Sequence, residues 1–119
     1  MKKIIVVDDD PSLLALVKAF LKNEYEVILF TSAEKALDEA PKLNPDLIIT
    51  DVLMKEMTGY EFFVNIKRDD SPLKNIPTIV MSTRENLKYI FDKNAIVSFL
   101  PKPFTRSELT KVVSESLEL

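Results

Sequence analysis

The sequence predicts an α/β domain in which a five-stranded parallel sheet carries helices on both faces. Three observations predict it. Short runs rich in Ile, Val and Leu recur along the chain, apolar at successive positions as buried parallel strands are. Segments with apolar residues at helical spacing alternate with those runs. Helix-start signals stand between the two kinds of segment, at Asp10-Pro11, Thr31 with Glu34, and Thr105 with Glu108.

Taken in order, Ile4–Val7 is the first strand. Asp10 is placed to cap a helix whose first position is Pro11, and Leu13, Leu14, Leu16, Val17, Phe20 and Leu21 recur at helical spacing up to Asn23. Glu26–Phe30 reads as the second strand. Thr31 and Glu34 form a capping-box pattern for a helix through Ala40, after which Pro41 and Pro45 bracket a turn. Leu47–Thr50 is the third strand and ends at Asp51. Val52–Gly59 is a loop, and Thr58 with Glu61 caps a helix to about Arg68. The polar, proline-containing stretch Asp69–Pro77 is another loop. Thr78–Met81 is the fourth strand, followed by a short helix with Leu87, Ile90 and Phe91 on one face. Ala95–Leu100 is the fifth strand, Lys102-Pro103 a turn, and Thr105 with Glu108 caps a last helix carrying Leu109, Val112, Val113 and Leu117. Right-handed crossovers between parallel strands then give a doubly wound sheet of the flavodoxin-like (βα)5 kind, order 2-1-3-4-5.

The 119 residues, 46% apolar, are expected to form one domain over 1–119. A net charge of −3 and a pI near 5.0 argue against a nucleic-acid surface. The absence of Cys excludes disulfides and thiol catalysis, and the absence of His excludes imidazole chemistry. Any metal must therefore rest on oxygen ligands, which points to a hard cation such as Mg²⁺. The single glycine, Gly59, excludes a glycine-rich nucleotide loop. Lys2 and Lys3 precede an apolar run that stops at Asp8, too short for a signal peptide or a membrane span, so a cytoplasmic location without membrane insertion is expected.

In a doubly wound sheet, sites form beyond the carboxyl ends of the strands, where strand order reverses. That rule selects Asp8 and Asp9 after strand one, Asp51 after strand three, Ser82 after strand four and Lys102 after strand five. Strands one and three are neighbours, so the carboxylates crowd into one pocket and need a cation or raised pKa values. Helix capping alone does not account for the acidic run: a cap needs one Asp, and Asp8-Asp9-Asp10 offers more.

Val6-Val7-Asp8-Asp9-Asp10, Asp51, Ser82 and Lys102-Pro103 together resemble the pattern of response-regulator receiver domains, in order and along the whole chain. The resemblance implies that Asp51 accepts a phosphoryl group from a phosphohistidine or a small phosphodonor. It implies Mg²⁺ held by Asp9 directly, by Asp8 mainly through water, by Asp51, and by the backbone carbonyl of Leu53. Lys102 would pair with a phosphate oxygen, and Ser82 would hydrogen-bond another. Ser82 and Phe99 would be the moving parts of the switch, and the Lys102–Pro103 bond is expected to be cis. The implied partners are a sensor histidine kinase or phosphotransfer protein and a downstream target at the face of the fourth helix, fifth strand and last helix. A second copy of the chain is an alternative occupant of that face. The resemblance implies a signalling domain that assists its own phosphorylation and dephosphorylation, not a classical enzyme.

Several positions depart from the family's pattern. Lys55 and Glu56 stand where it usually has Pro and Gly, and Thr83 where it mostly has Ala or Gly. The stretch from Ser82 to Lys102 is shorter than usual, and Ala95-Ile96-Val97-Ser98 replaces a Gly-Ala-Asp-Asp type of sequence. Ile96 and Val97 point to opposite faces of a strand, so at most one is readily core. Two rival readings follow. One is a pseudo-receiver that works as a constitutive protein-binding module. The other is a phosphatase with an Asp nucleophile, against which Asp51-Val52-Leu53 lacks the second carboxylate of an Asp-x-Asp pair.

Overall fold

A computed structural model of the chain describes residues 1–51, 59–83 and 97–118. Its elements are β1 (Lys3–Val7), α1 (Pro11–Leu21), β2 (Glu26–Phe30), α2 (Ala33–Leu43), β3 (Leu47–Asp51), α3 (Gly59–Ile66), β4 (Thr78–Ser82), β5 (Val97–Pro101) and α4 (Arg106–Leu117). The short helix expected around Leu87, Ile90 and Phe91 lies outside the described residues. The five strands form one sheet in the order β2-β1-β3-β4-β5, and every adjacent pair is parallel. This is the predicted doubly wound arrangement. Among the described residues, no helix is long and apolar enough to cross a membrane.

Strand alternation divides the core. Ile4 and Val6 of β1 and Leu47 and Ile49 of β3 pack with Leu14 and Val17 of α1 and Leu109 and Val113 of α4. Ile5, Val7 and Ile48 face the other way, onto Ala33, Ala36 and Ala40 of α2 and Phe62 and Ile66 of α3. The fully apolar strands follow from this, because both faces are covered and each buried Ile or Leu contributes on the order of 1.5–3 kcal/mol. The small alanines let α2 lie close to the sheet.

The helix ends refine the reading. Asp10 caps α1 as expected, its side chain accepting from the Ser12 N–H, and Pro11 occupies the first turn. The helix stops at Leu21 instead of Asn23. Only Leu14, Val17 and Leu21 of its apolar residues are fully buried, and Leu16 is 43% exposed. The cap of α2 is Ser32, not Thr31: the Ser32 hydroxyl accepts from the Lys35 N–H. Two hydroxyl residues in succession make that cap ambiguous in sequence, and the chain uses the second. Pro41 lies inside α2, which runs on to Leu43 and ends at Asn44 in the left-handed region, φ 51°. Proline lacks one N–H, so the helix forgoes one internal bond and still completes its last turn. The Thr105–Glu108 capping box forms in both directions, at 3.1 Å and 2.9 Å. The expected Thr58 cap of α3 lies outside the described residues.

Candidate phosphoacceptor site

The period of two along a strand builds the site. Asp8 continues the row of Ile4 and Val6, and Asp51 continues that of Leu47 and Ile49. Lys102 continues the row of Leu100, which belongs to the same core. The three side chains therefore emerge on one face at the carboxyl ends of β1, β3 and β5. The Lys102 ammonium donates to Asp8 Oδ2 at 3.1 Å and lies 3.1 Å from Asp51 Oδ1. Asp8 is 1% exposed and Asp51 8%. Burying like charges this deeply is tolerable because the lysine lies between them.

Asp8 is held at both oxygens. Its Oδ1 accepts from the Asp10 N–H at 2.9 Å, and its Oδ2 faces Lys102. Burial raises its carboxyl above the usual carboxylate range, and the Asp51 charge adds to that. The Asp10 N–H and Lys102 act in the opposite direction. Half-buried Asp9 completes the cluster: one carboxylate oxygen from each of Asp8, Asp9 and Asp51 lies within 4.8 Å of the others. These donors are all hard oxygens, so the residues present fit Mg²⁺.

Ser82 and Phe99 belong to the opposite row. Ser82 is buried at the end of β4, and its carbonyl accepts from the Lys102 N–H at 2.8 Å. Phe99 pairs in register with Val80, two residues before Ser82, and packs on it together with Phe63 and Val97. The two expected switch residues thus share a face, while the acidic pocket and Lys102 share the other. The Lys102–Pro103 bond is cis, as expected. Leu53, Lys55, Glu56, Ala95 and Ile96 lie outside the described residues. Val97 is half-buried against Val80 and is neither full core nor free surface.

One feature was not visible in the sequence. A groove of about 430 Å³ shares Lys102 with the pocket and is lined by the polar Asp10 and Thr83 and by the apolar Leu13, Leu16 and Phe104. Thr83 is exposed there, at the position where the family mostly has a smaller residue. The available signal was the leucine content of α1: Leu13 and Leu16 are apolar beyond the buried stripe of Leu14, Val17 and Leu21.

The response regulator receiver domain family matches residues 4–114. Histidine kinase P4 of Formosa agariphila is 32% identical over 97% of this chain, which covers 8% of that protein. The chain likewise spans only part of other curated relatives, 7% of hybrid signal transduction histidine kinase D of Dictyostelium discoideum and 56% of the two-component response regulator ORR7 of Oryza sativa. The chemotaxis response regulator CheY4 of Vibrio cholerae superposes with a TM-score of 0.88 at 31% identity, covering 98% of both chains. The response regulator TrrA of Thermotoga maritima, solved in complex with Mg²⁺-BeF, gives a TM-score of 0.84 at 27% identity over 98% of this chain and 99% of that one. The chain belongs to the response regulator receiver domain family of two-component signalling.

Proposed function

We propose that residues 1–119 act as one phosphoacceptor switch, in which Mg²⁺-dependent phosphorylation of Asp51 changes what the domain binds. The observation that carries this reading is the Lys102 ammonium, 3.1 Å from a carboxylate oxygen of both Asp8 and Asp51. In the reaction, an Asp51 carboxylate oxygen attacks phosphorus in line with the leaving group. The new O–P bond forms as the P–N bond of a phosphohistidine or the P–O bond of an acyl phosphate breaks. The bonding electrons depart with the imidazole or the carboxylate. Asp9 and Asp51 with the Leu53 carbonyl, and Asp8 mainly through water, would hold the Mg²⁺, which would supply positive charge against the charge gathering on the phosphoryl oxygens.

Lys102 then exchanges part of its pairing with Asp8 and Asp51 for a phosphoryl oxygen. The Ser82 hydroxyl binds another oxygen, and Phe99 moves with it. The donor is a sensor histidine kinase or phosphotransfer protein, for which the groove lined by the exposed Leu16 provides a seat beside Lys102. The output face includes β5 and α4, where a downstream protein or a second copy of the chain docks. Thr83 at the groove favours one competing reading, a receiver fold that binds a partner without being phosphorylated.

Intact-mass measurement after treatment with acetyl phosphate and Mg²⁺ decides between the two. Wild type is expected to gain one phosphoryl group and Asp51→Asn none. Equal labelling of both proteins contradicts the assignment of Asp51, and no labelling of wild type favours the constitutive module.

A further inference from the structure

Thr50 is a polar residue in an apolar place. It is the penultimate residue of β3 and is 1% exposed. Its register partners are Val7 on β1 and Val80 on β4, both buried. A valine would fill the same pleat without a hydroxyl to satisfy, and a buried hydroxyl is costly unless bonded. The Thr50 hydroxyl is bonded: Oγ1 donates to the main-chain carbonyl of Asp51 at 3.0 Å. Among the described residues the other buried threonine, Thr78, also fastens main chain at a strand boundary, donating to the Ile76 carbonyl at 3.2 Å just before β4. The β1–β3 register ends at Val7 and Thr50, while β3–β4 pairing continues to Asp51 and Met81. Asp51 therefore stands one residue beyond its last β1 partner, with its carbonyl tied by the residue before it.

We propose that Thr50 is a positioning residue for Asp51, its hydroxyl fixing the main chain from which the reacting carboxylate projects. The proposal rests on the reading of Asp51 as phosphoacceptor. Holding the carbonyl restricts rotation of the Asp51 peptide unit at the strand end, and through it the direction of the side chain that faces Lys102. In-line attack on phosphorus tolerates little misdirection, so a small loss of orientation appears in the rate more than in donor binding.

The test compares Thr50→Val, which keeps the shape and removes the hydroxyl, with Thr50→Ser, which keeps the hydroxyl. The maximal rate of labelling by acetyl phosphate should fall roughly tenfold in Thr50→Val, the cost of one lost hydrogen bond. The half-saturating acetyl phosphate concentration should stay within about twofold, and Thr50→Ser should recover most of the rate. Calorimetric titration with Mg²⁺ alone gives a second readout, with affinity weakened in Thr50→Val and restored in Thr50→Ser. Wild-type rate and wild-type Mg²⁺ affinity in Thr50→Val overturn the proposal, as does a Thr50→Ser variant as slow as Thr50→Val. If Thr50→Val does not fold, Thr50→Ala against Thr50→Ser isolates the same hydroxyl, and equal rates and affinities in that pair overturn it. If wild type takes no phosphate, the phosphoacceptor reading fails on its own account, and the Mg²⁺ titrations alone decide for or against Thr50.

Discussion

Lys102 and Lys67 are both partly withdrawn from water, and they keep different company. Lys102 stands at the carboxyl end of the sheet between two carboxylates, Asp8 and Asp51. Lys67 follows α3 at the other end and donates to backbone carbonyls of Leu73 at 3.5 Å, Lys74 at 3.3 Å and Ile76. Burial pushes the Lys67 ammonium down to about 8. Its partners are neutral dipoles of the loop before β4, so it works as a staple between α3 and β4. The partners of Lys102 are charges that repel one another and that a cation or a phosphoryl group would rebalance. One lysine therefore holds a shape, and the other holds a pocket whose charge is open to change.

Removing each lysine breaks the comparison in a different way. Lys102→Ala should cost about 3 kcal/mol of stability in metal-free buffer, because it leaves two buried carboxylates facing each other. Millimolar Mg²⁺ should recover part of that loss by binding the folded state, and urea unfolding with and without Mg²⁺ checks it. The same variant should still accept some phosphate yet show no gain in partner affinity. Unfolding curves that superpose on wild type would mean that Lys102 is not what makes the pocket tolerable.

Lys67→Met should cost less, roughly 1–2 kcal/mol, and leave acetyl phosphate labelling unchanged. It should also change the pH profile. The folded lysine releases its proton near 8 and the unfolded one near 10.5, so between those values the unfolded chain binds more protons and this group's contribution to stability rises with pH. The variant should lack that rise relative to wild type across the window; identical slopes would contradict the burial of the Lys67 ammonium.

The smallest expected effect is a gain. Asp8→Asn removes a buried charge and should stabilise the metal-free protein by about 1 kcal/mol. Because the folded Asp8 carboxyl holds its proton to higher pH than the unfolded one, wild type loses stability as pH rises through the folded value, and Asp8→Asn should not. The variant should also lose part of the Mg²⁺ response. A less stable Asp8→Asn would mean that its bonds to Asp10 and Lys102 outweigh the cost of burial.

The residues of the pocket were legible because two sequence rules meet there. Apolar runs mark where buried strands end, and strand order decides which ends are neighbours. Asp8, Asp51 and Lys102 follow directly from both. Lys67 was not legible, since its partners are backbone carbonyls and carry no residue signature. The Ser32 cap was hidden by Thr31 beside it, and the length of α2 by a proline that usually ends a helix. Leu16 reads as core from periodicity alone, yet it falls at the edge of the buried stripe and faces the groove. Thr50 looked like one more β-branched strand residue, because sequence does not say where a hydroxyl points.

The central claim, that Asp51 takes the phosphoryl group, is tested most directly by trapping the product. Borohydride reduces an aspartyl phosphate to homoserine, so protein treated with acetyl phosphate and Mg²⁺ can be reduced, digested and sequenced by mass spectrometry. Homoserine is expected at position 51, and its appearance should depend on Mg²⁺. Homoserine at Asp8, Asp9 or Asp10 instead, or at no position under conditions that phosphorylate a known receiver, would contradict the account.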